Sequence, residues 1–264
     1  MKLLTLNTHS LIERNYIKKL NFFADAVVKH KIDVIALQEV MQPINGENAK
    51  FSCVNVGAIP LKEGNHALNV VKALLERGEK YNFVWLGFKK SYDSFDEGLA
   101  ILTKSSVEKA KAILLTPFDE YDNWKTRKAL GVKHGNEWFY SIHMGWWDSF
   151  AYEFKQLHAS LSKKEKYWLM GDFNSIASER DRGYDLIVNS GLFDTYTLAK
   201  NKDSGFTANT KIDGWNKKSD EKIRIDYIFT TEKTEIESSF VIFNGSNEEI
   251  VSDHFGILVK VEEK

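Results

Sequence analysis

Short apolar runs rich in branched and aromatic residues recur along the chain. They predict strands over residues 2–6, 33–37, 83–86, 99–102, 138–142, 167–170, 223–230 and 255–261. Between several of them the apolar spacing turns helical. Ile17, Leu20, Phe23, Ala24, Val27 and Val28 form one stripe; Leu68, Val71, Leu74 and Leu75 form a second; Phe150, Phe154, Leu157 and Leu161 form a third. Strands interleaved with helices predict an α/β class and leave the strand order open. No internal repeat, low-complexity tract or linker composition interrupts the pattern, and the chain holds only three prolines. Residues 1–264 are therefore expected to form one domain.

The polar residues that follow these runs are more informative than the runs themselves. Leu6 is followed by Asn7, Leu37 by Gln38 and Glu39, Ile142 by His143, and Met170 by Gly171, Asp172, Phe173 and Asn174. Ile225 leads to Asp226, and Val251 to Ser252, Asp253 and His254. Each residue alone has an ordinary explanation, since Asp and Asn start turns and cap helices. Six strand ends finishing in Asp, Glu, Asn or His predict a polar cluster on one rim of a sheet, where α/β proteins hold ligands.

Composition narrows the chemistry. Hydrophobic residues make up 43% and charged residues 28%, enough for a substantial core. Lys and Arg number 36 against 37 Asp and Glu, a formal net charge of −1. A protein that grips long stretches of phosphate backbone normally carries a basic excess, so the balance favours a small phosphorylated substrate over a nucleic acid. The single cysteine, Cys53, has no partner for an internal disulfide and no nearby His, and it reads as a passive residue. Apolar residues at the N-terminus stop at Leu6, short of a secretory segment, and no run approaches a membrane span. A cytoplasmic location with no membrane partner is the expectation.

Glu39, Asp172, Asn174 and Asp253 offer only oxygen donors, the set that Mg²⁺ or Mn²⁺ prefers. A His-Glu-x-x-His zinc motif, a Gly-x-Ser-x-Gly elbow and a Gly-x-x-x-x-Gly-Lys phosphate loop are all missing from the sequence.

Taken in order, Thr5-Leu6-Asn7, Gln38-Glu39, Glu97-Gly98, His143, Gly171-Asp172-Phe173-Asn174, Arg224-Ile225-Asp226-Tyr227 and Ser252-Asp253-His254 resemble the endonuclease/exonuclease/phosphatase superfamily. That superfamily includes deoxyribonuclease I, abasic-site endonucleases, neutral sphingomyelinases and inositol polyphosphate 5-phosphatases. The resemblance implies two stacked, mostly antiparallel β-sheets flanked by helices, a four-layer α/β (α+β) sandwich like that of deoxyribonuclease I. It also implies roles. Glu39 is the main metal carboxylate, with Asn7 and Asp253 beside it. Asp172 orients or deprotonates the attacking water, and Asn174 binds a phosphate oxygen. His254 pairs with Asp226, and His143 with Glu97. Whether Asp172 or His254 is the general base stays open.

Arg127 stands where deoxyribonuclease-like relatives place a phosphate-contacting arginine; the alternative is a solvated surface charge. His9 replaces the acidic residue that abasic-site endonucleases carry two positions after the first Asn. On a strand it would share a face with Asn7 and so reach metal or substrate; the equal alternative is a bystander. Trp146 and Trp147 directly follow His143-Met144-Gly145, and aromatic rings beside a hydrolytic centre suit stacking against a sugar; the alternative is ordinary core or interface packing. Residues 87–93, 96–101 and 143–147 are similar to a cytosolic branch of Gram-positive bacteria that includes maltose 6′-phosphate phosphatase. The expected function is metal-dependent hydrolysis of a phosphosugar monoester. The alternatives are a phosphodiesterase acting on nucleic acid or phospholipid head groups and, more remotely, a non-catalytic binding domain.

Overall fold

The computed structural model describes residues 1–162, 164–210, 212 and 221–262, and of Trp147 the backbone. The first half of the chain runs β1 (Lys2–Asn7), α1 (Tyr16–His30), β2 (Val34–Pro43), β3 (Val54–Asn55), α2 (His66–Glu76), β4 (Asn82–Ser91) and β5 (Phe95–Thr103). Then follow β6 (Lys109–Leu114), β7 (Lys128–His134), β8 (Glu137–His143), α3 (Trp147–Ser160), β9 (Lys166–Asp172) and α4 (Gly183–Asn189). The last part holds β10 (Phe193–Asp194), α5 (Thr195–Leu198), β11 (Asn201–Lys202), β12 (Ala208–Asn209), β13 (Lys222–Ile223), β14 (Asp226–Thr230), β15 (Ile236–Ile242) and β16 (Gly256–Val261).

These strands build an eight-stranded sheet of order β11-β15-β16-β1-β2-β5-β4-β3 and a six-stranded sheet of order β10-β14-β9-β8-β7-β6. Most neighbours are antiparallel, while β1–β2, β3–β4, β8–β9 and β11–β15 are parallel. Side-chain alternation sorts each central strand into two faces. In β1, Leu3 packs between the sheets with Val34, Val84, Ile101, Phe139, Trp168, Met170 and Ile228, whereas Leu4 and Leu6 face α1 and α2. In β9, Trp168 and Met170 face inward, and Tyr167 and Leu169 meet α3 and α4. The result is the expected sandwich of helices, sheet, sheet and helices.

The strand expected over residues 223–230 is in fact two, because Arg224 and Ile225 fall between β13 and β14. Two residues of the helical stripes also depart from expectation: Ile17 is 65% exposed and Leu75 is exposed at the end of α2. Trp85, Trp138 and Trp168 are buried in the core, so three of the seven tryptophans have an ordinary packing role. Cys53 is a free, half-buried thiol whose pKa burial raises, in keeping with a passive residue.

The topology gathers the polar strand ends on one rim. β1 and β2 run parallel, so Asn7 and Gln38 end side by side. β8 and β9 do the same for His143 and Asp172. Strands antiparallel to these begin where they end: Asp226 pairs with Asp172, and β16 starts just after His254, beside the end of β1.

Candidate active site

Two local irregularities aim the side chains. The register of β2 against β5 slips between Leu37 and Val40, and Glu39 sits there at φ 50°. Such a bulge breaks the two-residue alternation, so Gln38 and its neighbour Glu39 both reach the space between the sheets. Gln38 Nε2 donates to Ser141 Oγ at 2.9 Å, and Glu39 Oε1 accepts from Asn7 Nδ2 at 2.9 Å. At the end of β9, Gly171 adopts φ 153°, and a Cβ there would lie 1.9 Å from the Ile142 carbonyl oxygen. Only glycine lets β9 pass β8 this closely and then turn Asp172 into the site.

Asp172 is the hub. Its Oδ1 accepts from the Asn174 backbone N–H at 2.8 Å, and its Oδ2 from Asn7 Nδ2 at 3.1 Å. His143 Nε2 and His254 Nε2 stand 3.7 and 3.8 Å from the same Oδ2. Burial, then the neighbouring charge of Asp226, pushes the Asp172 pKa up to about 7. His254 Nδ1 lies 3.1 Å from Asp226 Oδ2. Burial opposes the imidazolium, but Asp226 and Asp172 outweigh it and raise the His254 pKa well above its usual range. His143 goes the other way. Burial, then Arg127, Lys89 and His254, holds its pKa well below the usual value, so it is neutral near pH 7. Ser252 ties the last motif to the first by donating from Oγ to the Asn7 carbonyl at 2.7 Å.

The expected His143–Glu97 pair is absent. The register of β4 slips between Gly87 and Lys89, which sets Lys89 directly across from Glu97. Lys89 Nζ meets Glu97 Oε1 at 3.0 Å, and this attraction offsets burial and keeps the Glu97 pKa low. The carboxylates near His143 Nε2 are instead Asp172 and, at 3.9 Å, Glu39. Arg127, the residue between phosphate contact and surface charge in the sequence, is buried and lines the cleft. Lys89 was not a site residue in the sequence. The available signal is a pair of lysines interrupting an apolar strand, a pattern that also describes an ordinary strand end.

The cleft holds about 410 Å³ and opens between Trp124 and Trp146. Trp124 is 64% exposed. A side groove of about 340 Å³ continues past Arg127 between the same two tryptophans, with Asp148 and Ser149 on its wall. Trp146 is placed by the turn into α3, where Glu153 Oε2 accepts from the Gly145 N–H at 2.7 Å. Trp147 opens α3, and its side chain lies outside the described structure.

Two groups among the described residues bring potential metal-ligating atoms within 4.8 Å of one another: His9, Glu13 and Asp253, and Asp172, Asp226 and His254. The second is already knit by the Asp226–His254 hydrogen bond. His9 is not on β1 as expected. It sits past the strand end at φ 46°, with Nδ1 2.8 Å from Glu13 Oε1 and 4.0 Å from Asp253 Oδ1. The residues fit a hard divalent cation. Glu39 is raised by burial and then by the like charges of Glu97 and Asp253, a repulsion that a cation at this rim would relieve.

The Endonuclease/Exonuclease/phosphatase family matches residues 4–254. A solved endonuclease/exonuclease/phosphatase family protein from Leptotrichia buccalis is 31% identical over 100% of both chains, with a TM-score of 0.89. A mannosyl-6-phosphatase from Bacteroides thetaiotaomicron shares the fold at 16% identity, covering 100% of each chain with a TM-score of 0.67. Truncated TDP2 of Caenorhabditis elegans shares it at 18% identity and TM-score 0.62, over 99% of this chain and 97% of that one. No match was found among curated proteins. No described helix is long and apolar enough to cross a membrane.

Proposed function

This chain belongs to the endonuclease/exonuclease/phosphatase family, a family of phosphoesterases, and we propose that it is a Mg²⁺- or Mn²⁺-dependent phosphomonoesterase acting on a phosphorylated sugar. The observation that carries the reading is one cluster in which Asn7, Glu39, Asp172 and Asn174 are hydrogen-bonded and the Asp226–His254 pair stands 3.8 Å from Asp172, opening into a cleft lined by Trp124 and Trp146.

Asp172 is the general base. With a pKa near 7 and its orientation fixed by Asn174 and Asn7, its Oδ2 takes the proton of the water that attacks phosphorus. His254 cannot serve that role while protonated; held at Nδ1 by Asp226, it offers Nε2–H to the phosphoryl oxygens. Neutral His143 contributes a hydrogen bond without adding charge. Asn174, at φ 48° after the hub, binds a phosphoryl oxygen. Glu39 and Asp253, with Asn7 alongside, would hold the divalent cation, which when bound offsets charge on the phosphoryl oxygens. Glu97 acts through Lys89 and positions it.

The paired tryptophans and the side groove support a sugar leaving group, since aromatic faces cover C–H surfaces and Asp148 and Ser149 can take hydroxyls. The mannosyl-6-phosphatase of the same fold is consistent with that choice. The competing phosphodiesterase reading is separated by a panel of maltose 6′-phosphate, other phosphosugars, a bis-aryl phosphodiester and DNA, each with Mg²⁺ and with EDTA. The phosphosugar should turn over fastest, and EDTA should abolish it. Faster cleavage of DNA or the diester, or full activity after exhaustive chelation, would refute the proposal.

A further inference from the structure

Trp124 is carried by residues 115–127, the connection between the antiparallel strands β6 and β7. Hairpin connections commonly take about 2–5 residues, and much longer ones usually carry function. The Trp124 indole is 64% exposed and lines both the cleft and the side groove, so burial does little to hold it there. The backbone holds it. Lys89 Nζ and Arg127 Nη1 each donate to the Trp124 carbonyl at 3.2 Å. Thr126 Oγ1 donates to the Glu120 carbonyl at 2.7 Å, and the Thr126 N–H to the Asn123 carbonyl at 2.9 Å. These two bonds close the segment on itself around Trp124.

Tyr121 fastens this closed segment to the eight-stranded sheet. Its carbonyl accepts from the Lys90 N–H at 2.7 Å, and its hydroxyl donates to Asp96 Oδ1 at 2.6 Å. Asp96 is buried on β5, directly across from Lys90 of β4. Its other oxygen already accepts from Lys62 Nζ at 2.7 Å and from Gln42 Nε2 at 3.0 Å. The Asp96 charge is therefore balanced and hydrogen-bonded without the tyrosine. The Tyr121 ring is itself 36% exposed, so the core depends little on it. What the hydroxyl adds is a charge-assisted hydrogen bond that fixes the Trp124 segment against the sheet.

We infer that Tyr121, anchored on Asp96, is a positioning residue that holds Trp124 as a preformed platform for the part of the substrate beyond the phosphate. A platform already in place removes the cost of ordering the segment when substrate binds. It tightens binding of the distal group and leaves the chemistry at phosphorus alone. An indole face covers the C–H surface of a sugar ring, so the identity of the distal group rests on the phosphosugar reading, whereas the positioning of Trp124 does not. The rival role for Tyr121 is general support of the sheet edge, which would affect every substrate alike.

The experiment compares Tyr121→Phe, Trp124→Ala and the double variant with the wild type. Each is assayed with Mg²⁺ on the fastest substrate of the phosphosugar, diester and DNA panel, and on a small aryl ester of the same phosphate class. Tyr121→Phe should raise KM for the larger substrate about three- to tenfold, the effect of losing one hydrogen bond to a charged group. Its KM and kcat on the aryl ester should change by less than about twofold. In the Trp124→Ala background the same substitution should add less than about twofold, because its effect passes through the indole. Incorporated 5-fluorotryptophan gives a readout apart from activity. The Trp124 fluorine signal, identified by its loss in Trp124→Ala, should be sharp in the wild type and shift or broaden in Tyr121→Phe. The signals of the buried Trp85, Trp138 and Trp168 should stay in place, which shows that the fold is intact. Equal losses on both substrates, additive losses in the double variant, or an unmoved Trp124 signal in Tyr121→Phe would overturn the inference. If the fastest substrate is a diester or DNA, the same split together with a moved Trp124 signal leaves the positioning role standing and removes the phosphosugar reading instead.

Discussion

His254 and Asp172 are separated by 82 positions in sequence, yet their side chains share one carboxylate oxygen's surroundings, and their opposite pKa shifts define their work. Asp172→Asn removes the proton acceptor and should lower kcat by about 10²–10⁴-fold with little change in the melting curve. Asp226 touches only the far side of the His254 ring, so it acts by orienting that ring. Asp226→Asn and His254→Ala should therefore be strongly non-additive, the double variant losing about as much as His254→Ala alone. Fully additive losses, or an Asp172→Asn enzyme with more than half of wild-type kcat, would remove these assignments. Much of this centre was legible in the sequence, because Asp, Asn and His sit at fixed offsets from strand ends that the hydrophobic pattern locates. The partner of Glu97 was not. It is decided by a one-residue slip between Gly87 and Lys89, and a slip of one residue changes which side chain stands opposite without leaving a mark in composition.

At the scale of elements, α1, α2, α3 and most central strands were legible, whereas α4, α5, the interior strands β7 and β15 and the edges were not. β6 lies at the end of its sheet, and most of its residues are at least partly exposed, so no apolar run announces it. The α1–α2 layer carries a dependence on pH that the stripes do not reveal. Asn65 caps α2 by accepting from the Leu68 N–H at 3.1 Å, and His66 follows at the first helical position. His66 is buried, its Nδ1 3.0 Å from the Tyr16 hydroxyl, which in turn accepts from Asn69 at 3.0 Å. Burial draws the His66 pKa down to about 4, and the positive end of the helix dipole also disfavours its charge. The folded protein thus keeps His66 neutral while the unfolded chain protonates near pH 6.5. The stabilisation is complete above about pH 6.5 and is lost progressively as pH falls toward about 4, by up to roughly 3 kcal/mol. Urea unfolding at pH 7 and pH 5 should show this loss in the wild type, and His66→Gln should reduce the pH slope by about one proton. An unchanged slope in the variant would place the titrating group elsewhere.

For the whole molecule, the stacking of two sheets brings four carboxylates to a single rim. Glu39 comes from β2, Glu97 from β5, Asp172 from β9, and Asp253 from the segment before β16. Hydrophobic packing between the sheets holds them there; burial first, and then the like charges of Glu97 and Asp253, raise the pKa of Glu39. This crowding costs stability, and binding of the proposed cation should offset it. A cation that binds only the folded state at one hundred times its Kd adds about 2.7 kcal/mol. For a chain of this size that is roughly 5–10 °C in Tm. Mg²⁺ or Mn²⁺ should therefore raise the melting temperature in a concentration-dependent way, and EDTA should return it to the metal-free value. The variant Glu39→Gln with Asp253→Asn removes two of the crowded charges. It should melt higher than the wild type in EDTA and show no rise with Mg²⁺. If instead the double variant melts lower in EDTA, the carboxylates stabilise the sheets directly. A rise with Mg²⁺ that persists in the variant would mean the cation binds away from this rim. The fold places these carboxylates together whatever their charge, and their crowding at one rim, unreadable from a net charge of −1, is what the proposed cation would relieve.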